Sequence, residues 1–269
     1  MFGKKGERKV FLKSRSKKEM NGKKRRFYLR RKIFLILLGM LMILARAESL
    51  RAEVKPQFGL DYFAGTNQLQ IFSPWAGLRL SLSYRVSFIV RYHYQNVSYD
   101  YKIYDGGGNL ASKTIKAKVN RLTGTLYLGG EKLSGYVNYS HLYGTHQYRG
   151  YLVDSGLELR FIKPVSALVS LYGIREKTVL WRPQEEARWR NTYSLKTGVK
   201  IWMIKGLALN PNIYLIKNSE GQRATAFSVG LVYSPNWWLA ITGYYFRYNE
   251  TAFYIFYGNY ISLGLNFFF

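Results

Sequence analysis

The sequence predicts an all-β membrane protein: a transmembrane antiparallel up-and-down β-barrel of about twelve strands, with ten or fourteen as the neighbouring solutions. Three observations carry this. From Lys55 onward apolar residues recur at every second position in short segments separated by turn residues, so each segment has one greasy and one polar face. The last such segment keeps its alternation to the end of the chain, with Ile261, Leu263, Leu265, Phe267 and Phe269 apolar and Ser262, Gly264 and Asn266 small or polar between them. A soluble protein rarely leaves such a strand bare at an edge, whereas a lipid-facing strand ends this way. Finally, no apolar run after residue 44 approaches the ~20 residues that a spanning helix needs, so strands must do the crossing.

The chain starts with a leader. Ile33 to Leu44 reads IFLILLGMLMIL, preceded by Arg30, Arg31 and Lys32 and followed by Ala45-Arg46-Ala47. A basic flank, a short apolar core and an A-x-A site make a secretory signal peptide, with cleavage before Glu48. Residues 1–47 are therefore read as a basic leader with a cleavable signal, and 48–269 as one barrel domain. Arg30-Arg31 looks somewhat like a twin-arginine signal, but ordinary export accounts for the pair. The long basic stretch before it suggests Met20 as an alternative start to Met1. Its lysine runs would suit nucleic acid, but an exported, cleaved segment meets none, so no nucleic-acid partner is expected.

Removing the leader changes the charge balance. The chain has 41 Lys+Arg and 15 Asp+Glu, and residues 1–47 hold 16 and 2 of them, which leaves 25 against 13, or +12 in place of +26. That excess suits contact with anionic lipopolysaccharide or a small anionic solute. There is no cysteine, hence no disulfide, no thiolate metal site and no lipidated cysteine after the signal.

The strands are expected at 56–66, 75–84, 86–104, 110–128, 133–144, 149–162, 165–177, 191–203, 207–217, 223–233, 237–248 and 253–269. Connections after even strands are tight, around Arg85, Gly129-Gly130-Glu131, Lys163-Pro164, Lys205-Gly206 and Pro235-Asn236. Those after odd strands include Asp105 to Asn109 and the longer Val179 to Arg190. Short turns on one side and longer loops on the other are the barrel pattern, with both termini periplasmic. Outward faces carry Leu78, Leu80, Leu82 and Tyr84; Phe88, Val90 and Tyr92; Leu157, Leu159 and Phe161; Tyr193, Leu195, Val199 and Ile201; and Phe227, Val229, Leu231 and Tyr233. Trp75, Tyr84, Trp202, Trp237 and Trp238 sit near strand ends, where aromatic girdles belong.

One hairpin breaks the alternation. Apolar parity switches near Gln95-Asn96, from Phe88, Val90 and Tyr92 to Val97, Tyr99 and Tyr101, and again near Asn120-Arg121. With the turn at Gly107 the two switches face each other, which predicts paired bulges or the point where an extracellular hairpin leaves the bilayer.

Ser262, Gly264, Phe267 and Phe269 resemble the C-terminal assembly signal of Gram-negative outer-membrane β-barrels: a polar residue, then glycine, then two aromatics one residue apart with phenylalanine last. The resemblance covers only this strand. It implies a place in the bacterial outer membrane and the β-barrel assembly machinery as a partner, alongside outer-membrane lipids and lipopolysaccharide.

The opposite parity supplies the lumen: Asp61, Arg79, Arg91, His93, Asn138, Asp154, Glu158, Arg160, Lys196, Lys200, Asn210, Asn212 and Tyr214. Arg79, Arg91, Arg160, Lys196 and Lys200 outnumber the carboxylates, so a narrow passive channel with an anion preference is expected. Inward charges that merely pair and fill the barrel are the competing reading, since twelve strands fall between solidly packed and water-filled sizes. In strand number, length and lumen charge the chain resembles the small monomeric oligosaccharide-specific channels for acidic sugars, a resemblance of architecture without their sequence motifs. The runner-up is a non-conducting structural or adhesion barrel. A lipid-modifying hydrolase comes third, because catalysis needs an activated hydroxyl beside a base. Chains resembling outer-membrane phospholipase A carry Asn-His-x-Ser-Asn-Gly, and smaller lipid A deacylases place His and Ser two apart; His93, His141 and His146 fit neither pattern. No cofactor or metal motif is present.

Overall fold

A computed structural model describes residues 53–104, 110–177, 180, 187–249 and 258–269. The expected leader, the hairpin tip at 105–109, most of 178–186 and the segment 250–257, which includes the expected start of the last strand at 253, lie outside the described residues. Twelve strands follow in chain order: β1 (Glu53–Gly65), β2 (Leu69–Ser81), β3 (Val86–Tyr104), β4 (Leu110–Leu128), β5 (Leu133–Gly144), β6 (Arg149–Ile162), β7 (Val165–Lys177), β8 (Trp189–Ile204), β9 (Leu207–Asn218), β10 (Arg223–Tyr233), β11 (Leu239–Tyr248) and β12 (Gly258–Phe268). Each pairs antiparallel with the next, and β12 pairs with β1 from Gln57↔Phe268 to Gly65↔Tyr260, closing the barrel. The closing ladder ends with the Phe269 amide donating to the Pro56 carbonyl at 3.1 Å. Closure gives backbone groups a partner strand on both sides, which is the condition for strands in lipid.

Strands β3 to β7 and β10 have the expected limits, because the turn residues that flank them mark their ends. β2 does not: it starts at Leu69 rather than 75 and stops at Ser81. Thr66 to Leu69 forms a tight turn, with Asn67 and Gln68 at φ 58 and 52 and the Leu69 amide donating to the Thr66 carbonyl at 3.3 Å. Consecutive positive φ values mark the hairpin turn whose twist matches the flanking strands. Pro74 inside β2 has no amide to donate, and the β2–β3 ladder passes over it from Phe72↔Asn96 to Trp75↔His93.

The outer face is greasy. Leu78, Leu157, Leu171, Leu215, Leu263 and Val229 point outward and are about half exposed. A band of that kind in water would be an aggregation surface; against acyl chains it is the ordinary solution. At the end bearing both termini Phe58 packs on Phe267 and Phe269 with ring centroids 5.1 and 5.2 Å away, and Trp238 stacks on Phe267. Two of the expected girdle residues are elsewhere: Trp75 is buried inside the barrel, and Trp202 lies on the inner parity beneath the Lys200 ammonium, 4.6 Å from its ring centre. Leu82 and Tyr84 fall in the β2–β3 turn, beyond the strand that was expected to carry them.

Of the two readings of the parity switch in the β3–β4 hairpin, the paired bulges are absent, and the point where the hairpin leaves the apolar band is the one that fits. The hairpin register runs unbroken from Val86↔Leu128 to Tyr104↔Leu110, with Gln95 opposite Val119. Odd residues stay inside throughout, and what changes is the chemistry. The outer face turns polar at Asn96, Ser98, Lys116 and Lys118, as it must where a hairpin rises past the apolar band, while the inner face becomes apolar at Val97, Tyr99, Ala117 and Val119. Register shifts do occur, near the ends bearing the termini, between Arg160 and Ile162 and between Trp202 and Ile204.

Candidate functional site

The inner residues of the strands form three tiers. Nearest the end bearing the termini are Arg79, Glu158, Arg160 and Lys200, where the Lys200 ammonium lies 3.5 Å from the Glu158 carboxylate. Such a pair, a fifth to a quarter exposed, neutralises itself locally.

The middle tier is richer. Arg91 donates to the Gln57 side chain at 3.1 Å and lies over the Trp75 ring at 4.6 Å, the partnership that draws this tryptophan inward. Gly59 makes room for it, since a Cβ there would meet the Trp75 ring at 2.6 Å. Arg121 Nε donates to the hydroxyls of Ser140 and Thr123 at 3.0 and 3.2 Å. Tyr136 donates to Asp154 at 3.1 Å, and Lys196 lies on the same tier two strands away with no carboxylate within 4.0 Å among the described residues. Asn212 and Tyr214 both meet the Ser228 hydroxyl, at 3.1 and 3.3 Å.

At the loop end the interior is closely packed and mainly apolar. Leu69, Tyr99, Leu180 and Tyr260 are almost wholly buried, and Phe63 stacks on Tyr260 with centroids 5.2 Å apart. Within this cluster Arg190 sits 3.5 Å from Glu176, which also accepts from the Tyr148 hydroxyl at 2.7 Å. Tyr99 on β3 donates to the Leu180 carbonyl. Between this cap and the middle tier lies a cavity of about 390 Å³, bordered by Arg121, Tyr136, Asp154, Tyr172, Lys196 and Tyr214 below and by Glu176 and Arg190 above.

Asp61, Ser73 and His93 also meet in the middle tier, through the β1–β2–β3 register. The Ser73 hydroxyl is 3.5 Å from His93 Nδ1, and Asp61 approaches the same nitrogen at 4.0 Å. A relay needs serine and carboxylate on opposite ring nitrogens, so this trio lacks the geometry of an activated nucleophile. His141 lies on the outer face, 5.1 Å centroid to centroid from Tyr151, and His146 in the β5–β6 turn. Among the described residues no group of three or more His, Asp or Glu is placed to hold a metal.

Solved structures share this architecture. A KdgM porin in complex with disordered oligogalacturonate aligns at TM-score 0.51 and 7% identity, over 80% of this chain and 99% of its own. The outer membrane channel of Pseudomonas putida F1 aligns at 0.54 and 11% identity, over 81% and 95%. The translocator domain of autotransporter NalP from Neisseria meningitidis aligns at 0.50 and 9% identity, over 86% and 95%. The fold is that of a Gram-negative outer-membrane β-barrel. No protein-family profile matches the chain, and no curated protein matches it. At such identities the likeness carries architecture alone, and a channel and an autotransporter domain sharing it show why the site must speak for itself.

In this barrel Asp61, Arg79, Arg91, His93, Asp154, Glu158, Arg160, Lys196 and Lys200 occupy inner strand positions, with Arg160 exposed at the rim. Arg121 escaped the sequence reading because a bulge was expected beside it. Arg190 escaped because it was given to a loop, and Ser73 because β2 was begun too late. Plain alternation carried through β4 and β7 would have found Arg121 and Glu176. On β12, Ser262 and Gly264 face inward while Phe267 and Phe269 face lipid. A Cβ on Gly264 would lie 2.4 Å from the Thr242 hydroxyl and 2.9 Å from Asp61, so glycine is what lets Asp61 reach the middle tier.

Proposed function

We propose that this barrel is a passive, porin-like channel for small anionic solutes, with acidic sugars as the solute class. The observation that carries the reading is the cavity bordered by Arg121 and Lys196 and walled by Tyr136, Tyr172 and Tyr214. Cations and aromatic rings interleaved along one path suit a carboxylated sugar, whose acid groups meet the cations while its ring faces rest on the tyrosines. Asp61, Asp154 and Glu158 keep such binding shallow, as passage requires that a solute can leave. Arg79 and Arg160 would draw anions to the periplasmic mouth, where Lys200 is neutralised by Glu158, and Arg91, Arg121 and Lys196 would set selectivity inside. KdgM's oligogalacturonate is a polyanionic sugar, which fits this class without identifying the solute here. In the same reading residues 1–47 direct export and are removed before Glu48, and Ser262, Gly264, Phe267 and Phe269 present the strand that the assembly machinery recognises.

The test is single-channel recording in a planar bilayer with a salt gradient. Steady conductance with an anion-biased reversal potential, reduced by galacturonate oligomers, supports the channel. The second reading, a non-conducting structural barrel, is favoured by the buried cluster of Leu69, Tyr99, Leu180 and Tyr260 at the loop end. A silent bilayer with the barrel folded, seen by heat-modifiable gel mobility, would establish it instead.

A further inference from the structure

On the outer wall, far from the cavity, the apolar band is interrupted. A groove of about 750 Å³ opens toward lipid across β6 to β10, floored at Gly173 and walled by Val153, Leu171, Leu195 and Leu215. Five neighbouring strands make it about 19 Å wide at ~4.8 Å per strand. The gap exists because Gly173 has no side chain between Val153 and Tyr193, its partners on the two neighbouring strands. A Cβ there would meet only Tyr193, at an ordinary 3.6 Å, so backbone geometry does not demand the glycine.

The rim of this groove toward the loops is cationic. Lys217, next to the end of β9, stands directly opposite Arg223, the first residue of β10. Both are exposed, and neither has a carboxylate partner among the described residues. Like charges placed directly opposite on one sheet face are destabilising on their own. Their usual explanation is two solvated side chains at a strand end, but that leaves the groove below them unexplained. An anion shared between them and attached to an acyl chain accounts for both features. Tyr193, opposite Lys217 on β8 and 57% exposed, offers a ring and a hydroxyl at the same height.

Both termini lie at the other end of the barrel, so this rim faces the outer leaflet. In a Gram-negative outer membrane that leaflet is built of phosphorylated glycolipid. We propose that Lys217 and Arg223 form a phosphate site for lipopolysaccharide, with one acyl chain of its lipid A seated in the groove over Gly173. The site is independent of whether the lumen conducts. It is a fixed lipid position on the wall, distinct from the diffuse basic belt that Lys116 and Lys118 extend around the rising hairpin.

The experiment uses the full barrel purified from outer membranes, stripped of lipid in detergent and titrated with diphosphoryl lipid A, with bound copies counted by native mass spectrometry. Lys217→Gln with Arg223→Gln should weaken the tightest binding event about tenfold or more, the loss of two charge-assisted contacts. Gly173→Leu, which fills the floor and leaves both cations, should weaken it comparably. Lys116→Gln with Lys118→Gln removes the same charge elsewhere on the belt and should leave that event within about twofold. Heat-modifiable mobility verifies folding of every variant. Unchanged affinity in the first two variants overturns the proposal. Equal loss in the Lys116/Lys118 variant also overturns it, by showing diffuse attraction. Equal affinity for dioleoylphosphatidylglycerol would mean that any anionic lipid suffices, which overturns the glycolipid assignment.

Discussion

Reversing one lysine should undo most of the anion preference of the lumen. On the inner strand positions, leaving aside Glu53, Lys55 and Lys113 near the strand ends, Arg79, Arg91, Arg121, Arg160, Arg190, Lys196 and Lys200 face Asp61, Asp154, Glu158 and Glu176, seven cations against four carboxylates among the described residues. Lys196→Glu makes this six against five, reducing the excess from three to one. Lys196 is the choice because its charge is not spent on a partner: Lys200 lies 3.5 Å from Glu158 and Arg190 3.5 Å from Glu176, whereas Lys196 borders the cavity without an ion pair among the described residues. A unit charge ~6 Å from a passing ion contributes about 0.7 kcal/mol at the dielectric of water and about 2.8 kcal/mol at an effective value of 20. Changing its sign shifts an anion by at least about 1.4 kcal/mol and a cation by as much in the opposite direction, so the local ratio of anions to cations changes by roughly a hundredfold. Reversal potentials of single channels in a potassium chloride gradient measure this, with Lys196→Gln falling between wild type and Lys196→Glu. An unchanged reversal potential in a folded, conducting Lys196→Glu barrel would remove Lys196 from the pathway and with it the reasoning from the middle tier.

The other expectations concern the wall, the cap and assembly. Val229→Lys puts an ammonium on the lipid face at mid-strand in β10, and should lower the unfolding free energy in vesicles by about 2–4 kcal/mol; equal stability would mean that odd residues of β10 do not face lipid. Arg190→Met removes the arginine from the buried Glu176 ion pair and should cost about 3–5 kcal/mol, while Glu176→Leu with Arg190→Met should cost clearly less than twice that, as urea midpoints would show. Trp75→Ala empties a buried volume beside Arg91 and should destabilise by about 3–5 kcal/mol by the same assay, against little change if the ring sat in a girdle. Deleting Phe269 removes the ring stacked on Phe58 and should reduce the yield of heat-modifiable barrel in outer membranes; a normal yield would argue against the C-terminal segment as an assembly signal.

The two halves of the barrel wall were not equally legible. β3 to β7 and β10 could be bounded from sequence because the turn residues that flank them mark their ends, and because lipid tolerates so few outward polar side chains that the face assignment is forced. β2 was begun too late, at 75, although Pro74 interrupts only one of its two ladders in the barrel. In the β3–β4 hairpin it was the bulge alternative that failed. Apolar parity reports the core face only where the other face is polar, and in this hairpin the medium outside changes from lipid to water while the inside changes from polar to mainly apolar. The switch is real in composition and absent from the backbone, and assuming a bulge there hid Arg121.

By itself the sequence determined the closed antiparallel wall and its lipid-facing side, because a two-residue period is a local property and each strand states its own faces. It also supplied the inventory of inward charges. Only the tertiary structure decided which of those charges meet, since barrel closure sets Asp61 beside His93 and Ser73, draws Trp75 inward onto Arg91 and pairs Glu176 with Arg190 beneath a mainly apolar cap. Those contacts depend on register between strands distant in sequence and on what fills the space between opposite walls. No local pattern encodes either.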